Sequence, residues 1–146
     1  MLKDSLTDLK RKHMKTILLV DDDSAVLTFH EFILNDLGYD VISKHEAKSA
    51  LSLIREGVNI DLVITDFQMP GMNGVEFISQ LRLTLPFVPV LMLSGYCDVN
   101  IDPSLDVFKC IEKPVERKEL GHIVKAALDR SDAKEFRYDV ISEKQI

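Results

Sequence analysis

Two kinds of apolar pattern alternate along the chain. Apolar runs at Lys15–Val20, Ile60–Ile64 and Val88–Leu93 read as strands buried in a parallel sheet, and Val107–Glu112 can form a further strand. Tyr39–Ser43 reads as a shorter strand of the same kind. Between these runs the apolar residues recur at helical spacing. Val26, Ile33 and Leu37 outline a first helix, and Ala47, Ala50, Leu51 and Ile54 a second. Val75, Ile78, Leu81 and Leu85 outline a third, and Val115, Leu120, Ile123, Val124, Ala127 and Leu128 the last. Ser24 is the expected N-cap of the first helix, Gly38 and Gly57 close the first two, and Pro86 and Pro89 punctuate the loop before the fourth strand.

Strands that alternate with helices imply an α/β fold whose parallel sheet is covered on both faces. Right-handed crossovers favour a doubly wound five-stranded sheet of order 2-1-3-4-5, a flavodoxin-like arrangement. The pattern assigns residues 15–130 to one domain. Residues 1–14 carry only a weak stripe, Leu2, Leu6 and Leu9, and read as an N-terminal extension or tail. Residues 131–146 are charged, contain Tyr138-Asp139-Val140-Ile141, and read as an extension of the last helix or a tail.

A net charge of −6 argues against direct nucleic-acid or anionic-membrane binding by this chain. No apolar stretch approaches a membrane span and the N-terminus lacks a signal-peptide core, so a cytoplasmic location is expected. Cys97 and Cys110 form neither a zinc-ligand pattern nor a disulfide framework, and are expected to be free thiols. His13, His30, His45 and His122 are scattered and read as surface or boundary residues.

The chemistry lies at the strand ends. In a parallel sheet every carboxyl end falls on one edge, where open α/β sheets place their ligands. That edge would collect Asp21, Asp22 and Asp23 after strand one, Asp66 after strand three, Ser94 after strand four and Lys113 after strand five. Neighbouring carboxylates repel by about 4 kcal/mol per pair at 4 Å and an effective dielectric of 20, so the cluster wants a cation. Hard oxygen donors with no nearby His or Cys point to Mg2+ (or Mn2+) rather than zinc. A carboxylate can attack phosphorus to give an acyl phosphate, with the metal and a lysine neutralising the transferred oxygens. Asp23 fits a helix start better than a ligand position.

Val20-Asp21-Asp22, Asp66 with Met69-Pro70-Gly71-Met72-Asn73-Gly74, Leu93-Ser94-Gly95 and Lys113-Pro114 together resemble the receiver domain of two-component response regulators. The resemblance implies that Asp66 accepts a phosphoryl group from a phosphohistidine on a sensor histidine kinase or histidine phosphotransfer protein. It implies that Asp21 and Asp22 position Mg2+, with Asp66 and the backbone carbonyl of Gln68 as further ligands. Lys113 would pair with the phosphoryl oxygens across a bond to Pro114 that is often cis in the family, and Ser94 would be the switch hydroxyl. Phosphorylation would then change a protein-interaction surface for a downstream target, with homodimerisation left open. The only catalysis implied is the chain's own phosphorylation and slow self-dephosphorylation. Gln68 and a bulky Tyr96 flank the route of the hydrolytic water, and Tyr96 is expected to obstruct it.

Two features depart from the family. The position three before the lysine, usually an aromatic that turns inward, is Cys110, and strand alternation would leave Phe108 on the same face as Cys110. The segment from Ser94 to Lys113 is shorter than usual and contains Gly95, Asn100, Pro103 and several aspartates, so a fourth helix should be short, displaced or partly disordered. Three rivals remain. An aspartate-nucleophile phosphohydrolase (haloacid dehalogenase-like) would use Asp21 and Asp23 but leaves the Asp66 loop unexplained. A non-phosphorylated pseudo-receiver is disfavoured by the intact acid and lysine set. A nucleotide binder is disfavoured because three carboxylates would repel its phosphate.

Overall fold

A computed structural model of the chain describes residues 14–97 and 100–144, with side chains through residue 134. Five parallel strands form one sheet: β1 (Thr16–Val20), β2 (Asp40–Lys44), β3 (Leu62–Asp66), β4 (Val90–Ser94) and β5 (Val107–Glu112), in the order β2-β1-β3-β4-β5. Helices α1 (Ser24–Asp36), α2 (Ala47–Arg55), α3 (Gly74–Thr84) and α4 (Arg117–Lys144) cover it. The doubly wound arrangement expected from the alternating pattern is therefore the observed one. The stripe at Leu2, Leu6 and Leu9 and the residue His13 lie outside the described residues.

The aliphatic strands divide their side chains between two cores, because successive residues point to opposite faces. Ile17, Leu19, Leu62, Ile64, Leu91 and Leu93 pack with Leu27, Ile33 and Leu34 of α1 and with Leu120, Ile123, Val124, Ala127 and Leu128 of α4. Leu18, Val20, Val63, Val90 and Met92 pack with Ala47, Ala50, Leu51 and Ile54 of α2 and with Phe77, Ile78 and Leu81 of α3. The α2 and α4 faces are those the spacing predicts. For α1 the buried face is Leu27, His30, Ile33 and Leu34. Leu37 instead falls at the C-cap and is 37% exposed. The buried stripe therefore keeps Ile33 but runs through Leu27, His30 and Leu34 rather than Val26 and Leu37. The N-cap is Asp23 rather than Ser24: the Asp23 carboxylate accepts from the N–H groups of Ala25 and Val26.

The connection between β4 and β5 is the irregular part. Among the described residues it contains one 3-10 turn, Pro103–Leu105, in place of the crossover helix. The Asp102 carboxylate caps this turn through Ser104 N–H, and Asp106 leaves it with a left-handed φ of 51°. Arg82 of α3 holds the segment in place. Its guanidinium donates to the carbonyls of Leu105 and Asp106 on one side and of Leu85, Pro86 and Val88 on the other. This half-buried network gives the carbonyls of the irregular segment the donors that a regular helix would have supplied internally.

β5 carries a bulge. Val90 pairs with Val107, but Leu91 pairs with Lys109, so Phe108 is an extra residue. The extra residue reverses the alternation. Phe108 packs on the α4 core beneath the Arg130 guanidinium, 5.5 Å from its ring centroid, whereas Cys110 faces the α3 core. Phe108 and Cys110 are thus on opposite faces, contrary to the strict period-two expectation. Cys97 and Cys110 are also not free thiols: they are joined in a disulfide, with Cα atoms 5.8 Å apart. The bridge spans 13 residues and fastens the loop after β4 to β5.

Gly74, the first residue of α3, returns close under β3. Its N–H donates to the Phe67 carbonyl at 2.8 Å, and a Cβ there would stand 2.5 Å from the backbone oxygen of Asp66. Glycine is required by this approach of two backbones, so Gly74→Ala should lower stability by about 1–3 kcal/mol, the typical cost of forced overpacking. Urea denaturation followed by circular dichroism measures it; an unchanged midpoint would contradict the close packing.

Candidate functional site

The carboxyl ends of β1, β3 and β5 bring the acidic and ammonium groups together. Asp21 and Asp66 are buried and Asp22 is exposed, and one ligand oxygen from each lies within 4.8 Å of the others. The Lys113 ammonium reaches Asp21 Oδ2 at 3.0 Å and Asp66 Oδ1 at 3.2 Å. Backbone bonds hold the supporting loops: Asp21 N–H donates to the Lys44 carbonyl, Phe67 N–H to that of Leu93, and Lys113 N–H to that of Ser94. The Lys113–Pro114 bond is cis. Asp21 Oδ1 also accepts from Asp23 N–H at 3.0 Å, while Asp23 itself is committed to capping α1 and stands apart from the acidic trio.

Burial decides the electrostatics. It pushes the Asp66 carboxyl above its ordinary range, since removal from water disfavours the charged form; Lys113 pulls the other way, and Asp21 adds to the rise. For Lys113, burial alone would lower the ammonium, but hydrogen bonding and charge from Asp21, with the charge of Asp66, outweigh it and the net shift is upward. One lysine therefore shares two buried acids and leaves the cluster with excess negative charge.

The donor set fits a hard divalent cation. Three carboxylate oxygens converge, one of them open to solvent, and no imidazole or thiolate competes among them. Gln68 follows on the same rim and lines an open groove with Asp22, Phe67, Met69, Pro70 and Asn73. Asn73 shapes the far side of that groove by capping α3 through Glu76 N–H. Ser94, buried at the end of β4, does not contact the acids. Its hydroxyl donates to the Tyr96 carbonyl at 2.9 Å and accepts from Tyr96 N–H at 3.2 Å.

Two features were not anticipated from the pattern. His30, read as a surface or boundary residue, is buried on α1, and its Nδ1 has no hydrogen-bond partner among the described residues. Burial lowers its imidazole pKa, Asp21 opposes that and Lys113 adds to it. The signal for it was the spacing, since residue 30 stands three after Leu27, three before Ile33 and four before Leu34 on one helical face. His45 and His122 are exposed, as expected. Glu112 is the second: its carboxylate accepts from Cys97 N–H at 3.4 Å, beside the disulfide.

Comparison with known proteins was consistent throughout. The family described as the response regulator receiver domain matches residues 17–125. The chain is 33% identical over 121 residues to the alkaline phosphatase synthesis transcriptional regulatory protein PhoP of Bacillus subtilis, covering 81% of this chain and 50% of that protein. It is 35% identical over 124 residues to the sensor kinase CckA of Brucella abortus, covering 80% of this chain and 13% of that protein. The chain thus spans half or less of these curated relatives. A CheY-like receiver domain from Methanospirillum hungatei superposes with a TM-score of 0.77 at 29% identity, covering 83% of this chain and 98% of the other. With the acid trio and lysine on the carboxyl edge of a 2-1-3-4-5 sheet, and a family match that spans all five strands, the chain belongs to the response regulator receiver domains of two-component signalling.

Proposed function

We propose that this chain accepts a phosphoryl group on Asp66 from a phosphohistidine of a sensor histidine kinase or histidine phosphotransfer protein. The observation that carries the proposal is the Lys113 ammonium held 3.2 Å from Asp66 and 3.0 Å from Asp21 in a buried carboxylate cluster. An Asp66 oxygen attacks phosphorus, the P–N bond breaks, and the imidazole leaves with the bonding electrons. Lys113 stays beside Asp66 and neutralises the oxygens of the incoming group. Ser94 gives up its bonds to Tyr96 and donates to a phosphoryl oxygen, which carries the change into the loop after β4. Water later attacks the same phosphorus, inorganic phosphate departs and the Asp66 carboxylate is restored.

Asp21, Asp22, Asp66 and the Gln68 carbonyl would hold Mg2+ or Mn2+, which supplies charge neutralisation at the transferred group when bound. The proposed setting is cytoplasmic; among the described residues no helix is long and apolar enough to cross a membrane. Phe29 and Phe32, 56% and 68% exposed on α1, offer apolar contacts to a phosphodonor protein that approaches the acidic rim. The downstream target would read the surface around β4 and β5, where the Ser94 loop moves. We assign residues 15–130 to the receiver domain, with α4 continuing beyond it to Lys144.

Incubation with acetyl phosphate and Mg2+ should add a single phosphoryl unit by intact mass, and Asp66→Asn should abolish the gain. Turnover of many donor equivalents would instead favour the phosphohydrolase reading.

Asp66 also makes a stability prediction for the metal-free protein. Its folded-state pKa is raised above that of the unfolded chain. The resulting destabilisation is absent below the unfolded pKa, grows as pH rises from that value to the folded one, and is fully present above it. Metal-free Asp66→Asn should therefore melt above wild type at pH 7. The advantage should vanish at pH 3. Scanning calorimetry at both values checks the sign.

Tyr96 stands two residues beyond Ser94 and is 66% exposed, and the proposed role of its ring is to obstruct the hydrolytic water. Tyr96→Ala should accelerate phosphoryl loss on the order of tenfold, about 1.4 kcal/mol of barrier. A decay constant equal to wild type would exclude this role.

A further inference from the structure

The Cys97–Cys110 bridge stands where it constrains the one hydroxyl that the proposed switch must move. Ser94 heads the loop after β4, and its hydroxyl is engaged twice by Tyr96, as donor to the carbonyl and acceptor from the N–H. The next residue, Cys97, is covalently tied to Cys110 in β5, and its own N–H donates to Glu112 Oε1. Cys110 pairs with Met92 of β4, and Glu112 pairs with Ser94. The four-residue segment from Ser94 to Cys97 is therefore fastened at both ends to the same two strands. For the Ser94 hydroxyl to turn toward Asp66, both bonds to Tyr96 must break, which strips the Tyr96 carbonyl and N–H of the partner that the loop must then replace. The bridge at Cys97 limits how far the loop can move to do so.

We propose that Cys97 and Cys110 form a reversible thiol–disulfide site, and that the closed bridge holds Ser94 on Tyr96 and so restrains phosphorylation of Asp66. This rests on the reading of Ser94 as the hydroxyl that follows the phosphoryl group. The reductant is a small thiol. Its thiolate attacks one bridge sulfur, the protein S–S bond breaks, and the other cysteine leaves as a thiolate that takes up a proton. A second thiol attacks the mixed disulfide, so two small thiols become one small disulfide and the protein gains two S–H groups. The reverse exchange with a small disulfide closes the bridge. Several observations suit this site to exchange. Both cysteines are half-buried rather than sealed in the core. The Cα separation of 5.8 Å lies in the usual span for a bridge, so closing it needs no rearrangement of β5. Cys97 lies on an irregular loop, free of any helix or strand ladder that would hold it in place once released.

The test compares the full chain equilibrated with glutathione disulfide and with excess reduced dithiothreitol. Alkylation and intact mass should count no free thiol in the first and two in the second. With acetyl phosphate and Mg2+, the reduced form should be phosphorylated about five- to tenfold faster, in the range of coupling between linked sites. Ser94→Ala should remove that difference, whereas Cys97→Ser should react like the reduced protein in either buffer. The reduced wild type makes the same comparison even where a cysteine variant fails to fold. Two results overturn the proposal alone: Asp66 phosphorylated at equal rates in both forms, or two free thiols that persist in glutathione disulfide. No phosphorylation in either form would overturn the receiver chemistry itself, and the redox control with it.

Discussion

The structure depends on placing two buried carboxylates, Asp21 and Asp66, against a single ammonium. A parallel sheet forces this meeting, because every strand end emerges on the same edge and the loops there have nowhere else to put their first side chains. Lys113 satisfies one oxygen of each acid. It does not balance them: two buried negative charges and the exposed Asp22 face one positive charge, and burial leaves the Asp66 carboxyl raised above its usual range. The site is thus built short of a cation. That deficit is what suits the three carboxylates to a hard divalent cation.

The supporting framework is rigid on one side of the sheet and improvised on the other. Around Asp66, backbone bonds from Phe67 and Gly74 and the cap at Asn73 define the loop, and the contact of Gly74 with the Asp66 carbonyl leaves no room for a larger residue. Between β4 and β5 the usual crossover helix gives way to one 3-10 turn. Arg82 compensates by binding carbonyls from both flanks. Arg130 and Lys134 reach the Asp106 carboxylate from α4, joining the last helix to the same segment. Among the described residues the regular structure between β4 and β5 reduces to that turn, and the loop from Ser94 to Cys97 is bridged directly to β5.

Replacement of an aromatic by Cys110 belongs to the same adaptation. A ring at that position can swing between buried and exposed states, but a bridged sulfur cannot. The bulge at Phe108 gives the strand its aromatic on the opposite face, where it packs against α4 and under Arg130. β5 thereby keeps an aromatic against α4 and carries, at Cys110, a covalent link to the loop after β4, two residues before the strand ends at Glu112.

Much of this was legible in the residues themselves. Aliphatic runs of strand length, separated by amphipathic helices, specify a covered parallel sheet, since no other arrangement buries both faces of so many strands. Once the sheet is parallel, the acids, the serine and the lysine must share an edge, and the poor helical character of the segment around Asn100 and Pro103 already excluded a regular fourth crossover. What the pattern could not decide depends on one-residue offsets and on distances through space. Asp23 and Ser24 are both good caps, and Asp23 takes the role; independently, packing on the sheet buries Leu27, His30, Ile33 and Leu34 and leaves Leu37 at the C-cap. Period-two alternation cannot foresee a bulge, so the separation of Phe108 from Cys110 needed the register of β4 against β5. Two cysteines 13 residues apart carry no pairing signal in sequence. The bridge exists because the loop after β4 folds back over β5, a contact that only tertiary structure creates.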